Sequence, residues 1–267
     1  MLTRIITAII SLIVFFAVIL SGETVLSVAI GAVILVMLYE AYGALTKSVA
    51  VKVSGFIGGI IIMAGIYFNM LEVAIILAIM IAMVFVVALH SKSESKETFS
   101  VMLMTLYITV FMSYIPKMRS EMGLSVMALV FIISWGSDTA AYFCGTFFGR
   151  HKLIPKVSPK KTVEGSIGAV VITALLCMLY VFIMNKVSYP LMSIAPTAAL
   201  YAKYAVAGFI VSAVSQLGDL AASAIKRDAG IKDYGRIFPG HGGFLDRFDS
   251  VLFISPMVYY LCKFIIM

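Results

Sequence analysis

The chain has 267 residues, 62% hydrophobic and 12% charged, with a mean hydropathy of +1.09 and a formal charge of +7. A soluble domain is ordinarily about 45–50% apolar and about 25% charged, so no soluble core could hide this much apolar side chain. A secreted disulfide scaffold, a disordered chain and an ordinary cytosolic enzyme are excluded. The chain belongs in a bilayer, as an all-α, polytopic helical integral membrane protein.

A spanning helix needs about 20 predominantly apolar residues. About nine candidates meet this in chain order: Ile5–Leu20, Val25–Leu45, Val53–Phe68, Leu71–Leu89, Phe99–Ile115, Leu124–Phe148, Ser166–Met184, Thr197–Ala222 and Ser250–Met267. The first follows Arg4 as a signal peptide would. It is long for such a segment, and Leu20-Ser21-Gly22 is a poor cleavage site, so it is kept as a span. The third carries Gly55, Gly58, Gly59 and Gly65, which favour close helix packing. Cys144, Cys177 and Cys262 lie in apolar runs without a CxxC and read as small buried hydrophobes.

With Arg4 in the cytoplasm and the spans alternating, 15 of the 20 basic residues fall inside and five outside. The positive charge is therefore read as topology and as attraction to headgroups or phosphates, with no nucleic-acid partner. This orientation puts the N-terminus inside and the C-terminus outside. Residues 1–120 hold about five spans. Residues 121–267 hold the rest, with two long cytoplasmic loops at 149–165 and 223–249.

No GxxxxGK[ST], GxGxxG, HExxH or Cys/His metal cluster is present, so any phosphate chemistry must be built otherwise. Three stretches are unusual. In the first, Asp138 sits inside an apolar span, an expensive placement that marks function unless the carboxylate merely joins helices. Gly145 and Gly149 follow it as a close-packing pair.

The second is Ser158-Pro-Lys160-Lys161-Thr162-Val-Glu164-Gly165. Thr162 is placed to cap the next helix, whose free N–H groups attract anions. Lys160 and Lys161 suit a polyphosphate there, or else they only fix topology.

The third runs from Asp219 through Ser223, Lys226 and Arg227, which share a helix face, to Lys232-Asp233 and Pro239-Gly240-His241-Gly242-Gly243-Phe-Leu-Asp246-Arg247-Phe-Asp249. Asp219 and Asp246 stand at the two ends of this loop and are expected to converge at one membrane boundary. Such hard oxygen ligands suit Mg²⁺, which takes one or two carboxylates together with substrate phosphates. His241 either binds a phosphate or orients the turn. Glu40, near the inner end of the second span, is either solvated among headgroups or part of a pocket wall.

The run from Ser223 to Asp249 resembles the signature of the phosphatidate cytidylyltransferases, and Asp138 to Gly165 resembles that family's second characteristic region. Together they cover roughly the C-terminal half of the chain. The resemblance implies transfer of the cytidylyl group of CTP to phosphatidate, giving CDP-diacylglycerol and pyrophosphate in the cytoplasmic membrane. It implies Mg²⁺ on Asp219 and Asp246, with room for a second cation, and a catalytic set completed by Lys226 and Arg227. The substrate-binding set expected beside them is Ser158, Lys160, Lys161, Thr162, Glu164, Asp138, Ser223, His241, Gly242, Gly243, Arg247 and Asp249. Small-residue helix faces permit a homodimer. Two rival readings are a CTP-dependent enzyme acting on another lipid phosphate or a polyprenol, and an ion-coupled transporter.

Overall fold

The computed structural model of the chain describes residues 2–89, 95–187, 197–238 and 242–266. The architecture is helical, as the hydropathy demands: α1 (Leu2–Leu20), α2 (Glu23–Leu45), α3 (Val49–Tyr67), α4 (Leu71–Ala88), α5 (Ser95–Phe148), α6 (Val163–Lys186), α7 (Ala198–Asp228) and α8 (Leu245–Leu261). Each expected span lies largely or wholly on one of these helices.

Among the described residues, six helices are long and apolar enough to cross a bilayer by length and composition. The difference from nine has three sources. Two expected spans lie on the 54-residue α5, interrupted at Gly123, whose φ of 83° and ψ of 176° break the helix. The apolar part of α1 is only Ile6–Leu20. Helix α8 has 17 residues before it passes into a π-helical turn over Cys262–Ile266.

Two compact units form from discontinuous pieces: Met1–Pro116 with Asp228–Phe248, and Lys117–Arg227 with Asp249–Met267. In the first, the glycines of α3 bring backbones together. A Cβ on Gly55 would lie 2.6 Å from the Tyr42 ring and from Val101, and one on Gly58 would lie 3.6 Å from Ala78. Ala74, Ala78 and Ala82 give α4 a matching buried stripe of small residues. The Tyr42 and Thr105 hydroxyls hydrogen-bond at 2.5 Å, which satisfies both in the buried interior.

In the second unit polar side chains join helices in the same way. The Ser137 and Ser212 hydroxyls meet at 2.8 Å. Ser166 donates to the Gln216 side-chain oxygen, and the Gln216 amide donates back to the Ser166 carbonyl at 3.2 Å. Cys177 and Cys262 are buried and Cys144 partly so. Gly218 of α7 rests against Phe253 of α8, and a Cβ there would lie 2.5 Å from the phenylalanine Cβ. Gly218→Ala is therefore expected to cost about 1–3 kcal/mol by overpacking. The measurement is a thermal melt of the detergent-purified protein, and an unchanged midpoint would contradict it.

The 149–165 loop is more regular than its sequence predicts. Strands β1 (Lys152–Ile154) and β2 (Ser158–Thr162) pair antiparallel as a small hairpin. Strands of three and five residues around Pro155 and Pro159 carry no readable alternation.

Candidate active site

The residues singled out by the sequence occupy two neighbourhoods, one in each compact unit. The first is built where β2 enters α6. The Thr162 hydroxyl accepts the Gly165 N–H at 3.2 Å, the expected N-cap. This turn sits tightly against the end of α5. A Cβ on Gly165 would lie 2.7 Å from the Ala141 carbonyl oxygen and 3.0 Å from the Gly145 Cα, and one on Gly145 would lie 2.9 Å from the Thr162 hydroxyl. The Gly145/Gly149 pair is thus a close-packing device, and its partner is the capped start of α6.

Glu164, expected among the substrate-binding residues, holds the hairpin. Its carboxylate accepts the Arg150 N–H at 3.0 Å, the His151 N–H at 3.2 Å and the His151 ring nitrogen at 2.6 Å. With the cap and hairpin fixed, Lys161 projects to α7, where its ammonium pairs with Asp219 Oδ2 at 2.6 Å. Ser223, one turn along α7, donates to Asp219 Oδ1 at 3.4 Å. The shared face expected for Asp219 and Ser223 is present.

Asp249, in the first turns of α8, interacts electrostatically with Asp219, Lys226 and Asp138. Asp138 itself is exposed. Lys226, 9% exposed, is buried, as few lysines are without a partner charge. Lys160 is exposed, and Ser158 opens β2.

The second neighbourhood is the loop from Ala229 into α8. Asp246 is 9% exposed, and its Oδ2 accepts two backbone N–H groups, from Tyr234 at 2.8 Å and from Gly243 at 3.0 Å. Gly242 has φ of 87°, which favours glycine, and a Cβ there would press on Asp246 Oδ2 at 3.0 Å. The Phe238 N–H donates to the Gly242 carbonyl at 2.9 Å. Arg247 is exposed. His241 lies outside the described residues.

Glu40 is the residue whose role the sequence did not fix. It is 4% exposed, so headgroup solvation does not describe it. Its Oε1 accepts the Phe244 N–H at 3.1 Å and its Oε2 the Leu245 N–H at 2.9 Å. An acidic residue at the end of an apolar span was a signal, but its partners lie 204 and 205 positions away.

Among the described residues, no three His, Cys, Asp or Glu side chains form a ready metal cage. Asp219 and Asp246 are each the kind of hard oxygen donor that suits a cation drawing its other ligands from a phosphate. Asp219 already holds one cation, the Lys161 ammonium, and is oriented by a hydroxyl.

A helical membrane chain whose charged residues gather at helix ends around carboxylates and lysines defines a class. The model of the cytidylyltransferase family matches residues 2–265, and the chain belongs to that family. Its curated relatives are of similar length. The phosphatidate cytidylyltransferase of Staphylococcus aureus (strain COL) is 38% identical over 269 residues, 97% of each chain. That of Staphylococcus saprophyticus is 35% identical over 271 residues, again 97% of each. That of Bacillus subtilis (strain 168) is 31% identical over 274 residues, 97% of this chain and 96% of the relative. The resemblance drawn from the motifs is borne out over the whole chain, the N-terminal spans included, and the transporter reading is set aside.

Proposed function

We propose that this protein transfers the cytidylyl group of CTP to phosphatidate, releasing pyrophosphate and leaving CDP-diacylglycerol in the membrane. The single observation that carries the reading is the full-length match to the cytidylyltransferase family and to relatives named for that reaction. The orientation that places most basic residues inside puts the N-terminus and both long loops in the cytoplasm of the inner membrane, where CTP is available, and the C-terminus outside.

The nucleophile is an oxygen of a phosphate monoester whose second pKa is about 6, so it is already ionised at neutral pH and needs no strong base. The barrier is electrostatic, because one polyanion must approach another. Lys161, Lys226, Arg227 and Lys160 are the cations of this chain suited to lower it. Lys161 is held by its pairing with Asp219 beside the capped start of α6, so a phosphate arriving there meets an ammonium and the positive end of a helix dipole together. Asp219 and Asp246 are the carboxylates proposed to hold Mg²⁺, each already oriented by hydrogen bonds. Bound Mg²⁺ supplies charge neutralisation on the nucleotide phosphates and on departing pyrophosphate.

The test is conversion of labelled CTP by the purified protein with phosphatidate, with and without Mg²⁺. CDP-diacylglycerol that appears only with the metal supports the reading. Turnover confined to a polyprenol phosphate or another lipid phosphate would replace the acceptor. Lys160 is exposed, so its share is modest: Lys160→Ala is expected to raise the KM for CTP about fivefold, or about 1 kcal/mol. An unchanged KM would return this lysine to topology alone.

A further inference from the structure

We propose that Glu40 is a positioning residue for the reaction, a clasp from α2 that sets the start of α8 and through it the placement of Asp246. This rests on the reading of Asp246 as a Mg²⁺ ligand. The observations are geometric. One carboxylate caps a helix 204 residues away, with one oxygen on the Phe244 N–H and the other on the Leu245 N–H. Asp246 is the next residue, so the Phe244–Leu245 peptide held by Glu40 lies one peptide plane before it.

Two glycines are shaped to Glu40. A Cβ on Gly235 would lie within 3.0 Å of its Cγ and closer still to its carboxylate, and a Cβ on Gly243 would collide with both oxygens. The loop therefore approaches Glu40 from two sides with bare backbone. Asp246 then closes the same loop from within, through Tyr234 and Gly243. Between them the two carboxylates take the three successive N–H groups of Gly243, Phe244 and Leu245 that lead into α8, and Asp246 also ties Tyr234 at the other end of the strap.

The energetics favour this reading over simple packing. A buried carboxylate is costly unless it is fully hydrogen-bonded. Here the compensation is two N–H groups at a helix N-terminus, where the macrodipole also favours negative charge. An apolar side chain would fill the same volume more cheaply, but it could not hold two amides at fixed positions. Glutamine cannot replace the carboxylate either: its one oxygen serves one amide, and its NH₂ then faces the other.

The test compares wild type with Glu40→Gln in the full chain, purified in detergent. The first readout needs no activity. Backbone hydrogen exchange of the metal-free protein is expected to rise at least tenfold in the peptide over residues 242–248, with α3 and α4 unchanged. The second is kinetic. The Mg²⁺ concentration for half-maximal rate is expected to rise about tenfold while the KM for phosphatidate stays constant. A purely structural role would lower the active fraction and leave the half-saturating Mg²⁺ where it was.

Unchanged exchange at residues 242–248, or a fall in rate with unmoved Mg²⁺ dependence, overturns the proposal. If Glu40→Gln does not fold, Gly235→Ala presses on the same carboxylate from the loop and is expected to give both effects; wild-type behaviour there overturns it equally. If the wild-type protein makes no CDP-diacylglycerol, the functional reading fails, while the exchange result still decides whether Glu40 holds the strap.

Discussion

Asp219→Asn is expected to remove Mg²⁺-dependent cytidylyl transfer almost entirely while leaving the helices in place. The side chain carries two connections, the Lys161 ammonium on Oδ2 at 2.6 Å and the Ser223 hydroxyl on Oδ1 at 3.4 Å. Asparagine preserves volume and keeps one acceptor, so the local helix face survives. What it loses is charge: Lys161 no longer has its counter-ion, and a divalent cation no longer has an anionic ligand. Losing one such electrostatic contact in a reaction that stabilises developing charge typically costs about 10²–10³ in rate, about 2.7–4 kcal/mol. Turnover with saturating CTP, phosphatidate and Mg²⁺ measures this, and a thermal melt within a few degrees of wild type shows that folding is not the cause. A wild-type rate would remove Asp219 from the metal site and leave it as the partner of Lys161 alone.

Much of this neighbourhood was legible from local spacing. Thr162 three residues before Gly165 reads as a cap because N-capping is a short-range rule, and the structure makes that bond. Asp219 and Ser223 share a face because helical periodicity requires it. Gly145 and Gly149 announced close packing, although their partner, the capped turn at Thr162 to Gly165, was not stated by the motif. The hairpin was not legible, since strands this short give no period. The helix count differs from the expected span count for a related reason: hydropathy marks apolar runs, whereas the continuity of α5 past Pro116 and its break at Gly123 are matters of backbone geometry. Glu40 shows the deeper limit. Its chemistry is a contact between residues 204 positions apart, and nothing in either segment names the other.

Asp246 allows loop architecture and metal binding to be separated, because two substitutions act on them differently. Its Oδ2 accepts the Tyr234 and Gly243 N–H groups, so one oxygen closes the loop. Asparagine can turn its single carbonyl oxygen to the same place and keep both hydrogen bonds, losing only the negative charge. Alanine keeps neither bond and leaves two buried N–H groups without their acceptor, a cost of about 1–3 kcal/mol each. Asp246→Asn is therefore expected to melt close to wild type while losing about 10²–10³ in Mg²⁺-dependent rate, and Asp246→Ala to lose the activity and also several degrees of stability. Thermal melts and initial rates on the three proteins, prepared side by side, read both quantities. Equal destabilisation by the two variants would make Asp246 a loop brace whose loss of activity is indirect. A fully active Asp246→Asn would show that its charge holds no metal.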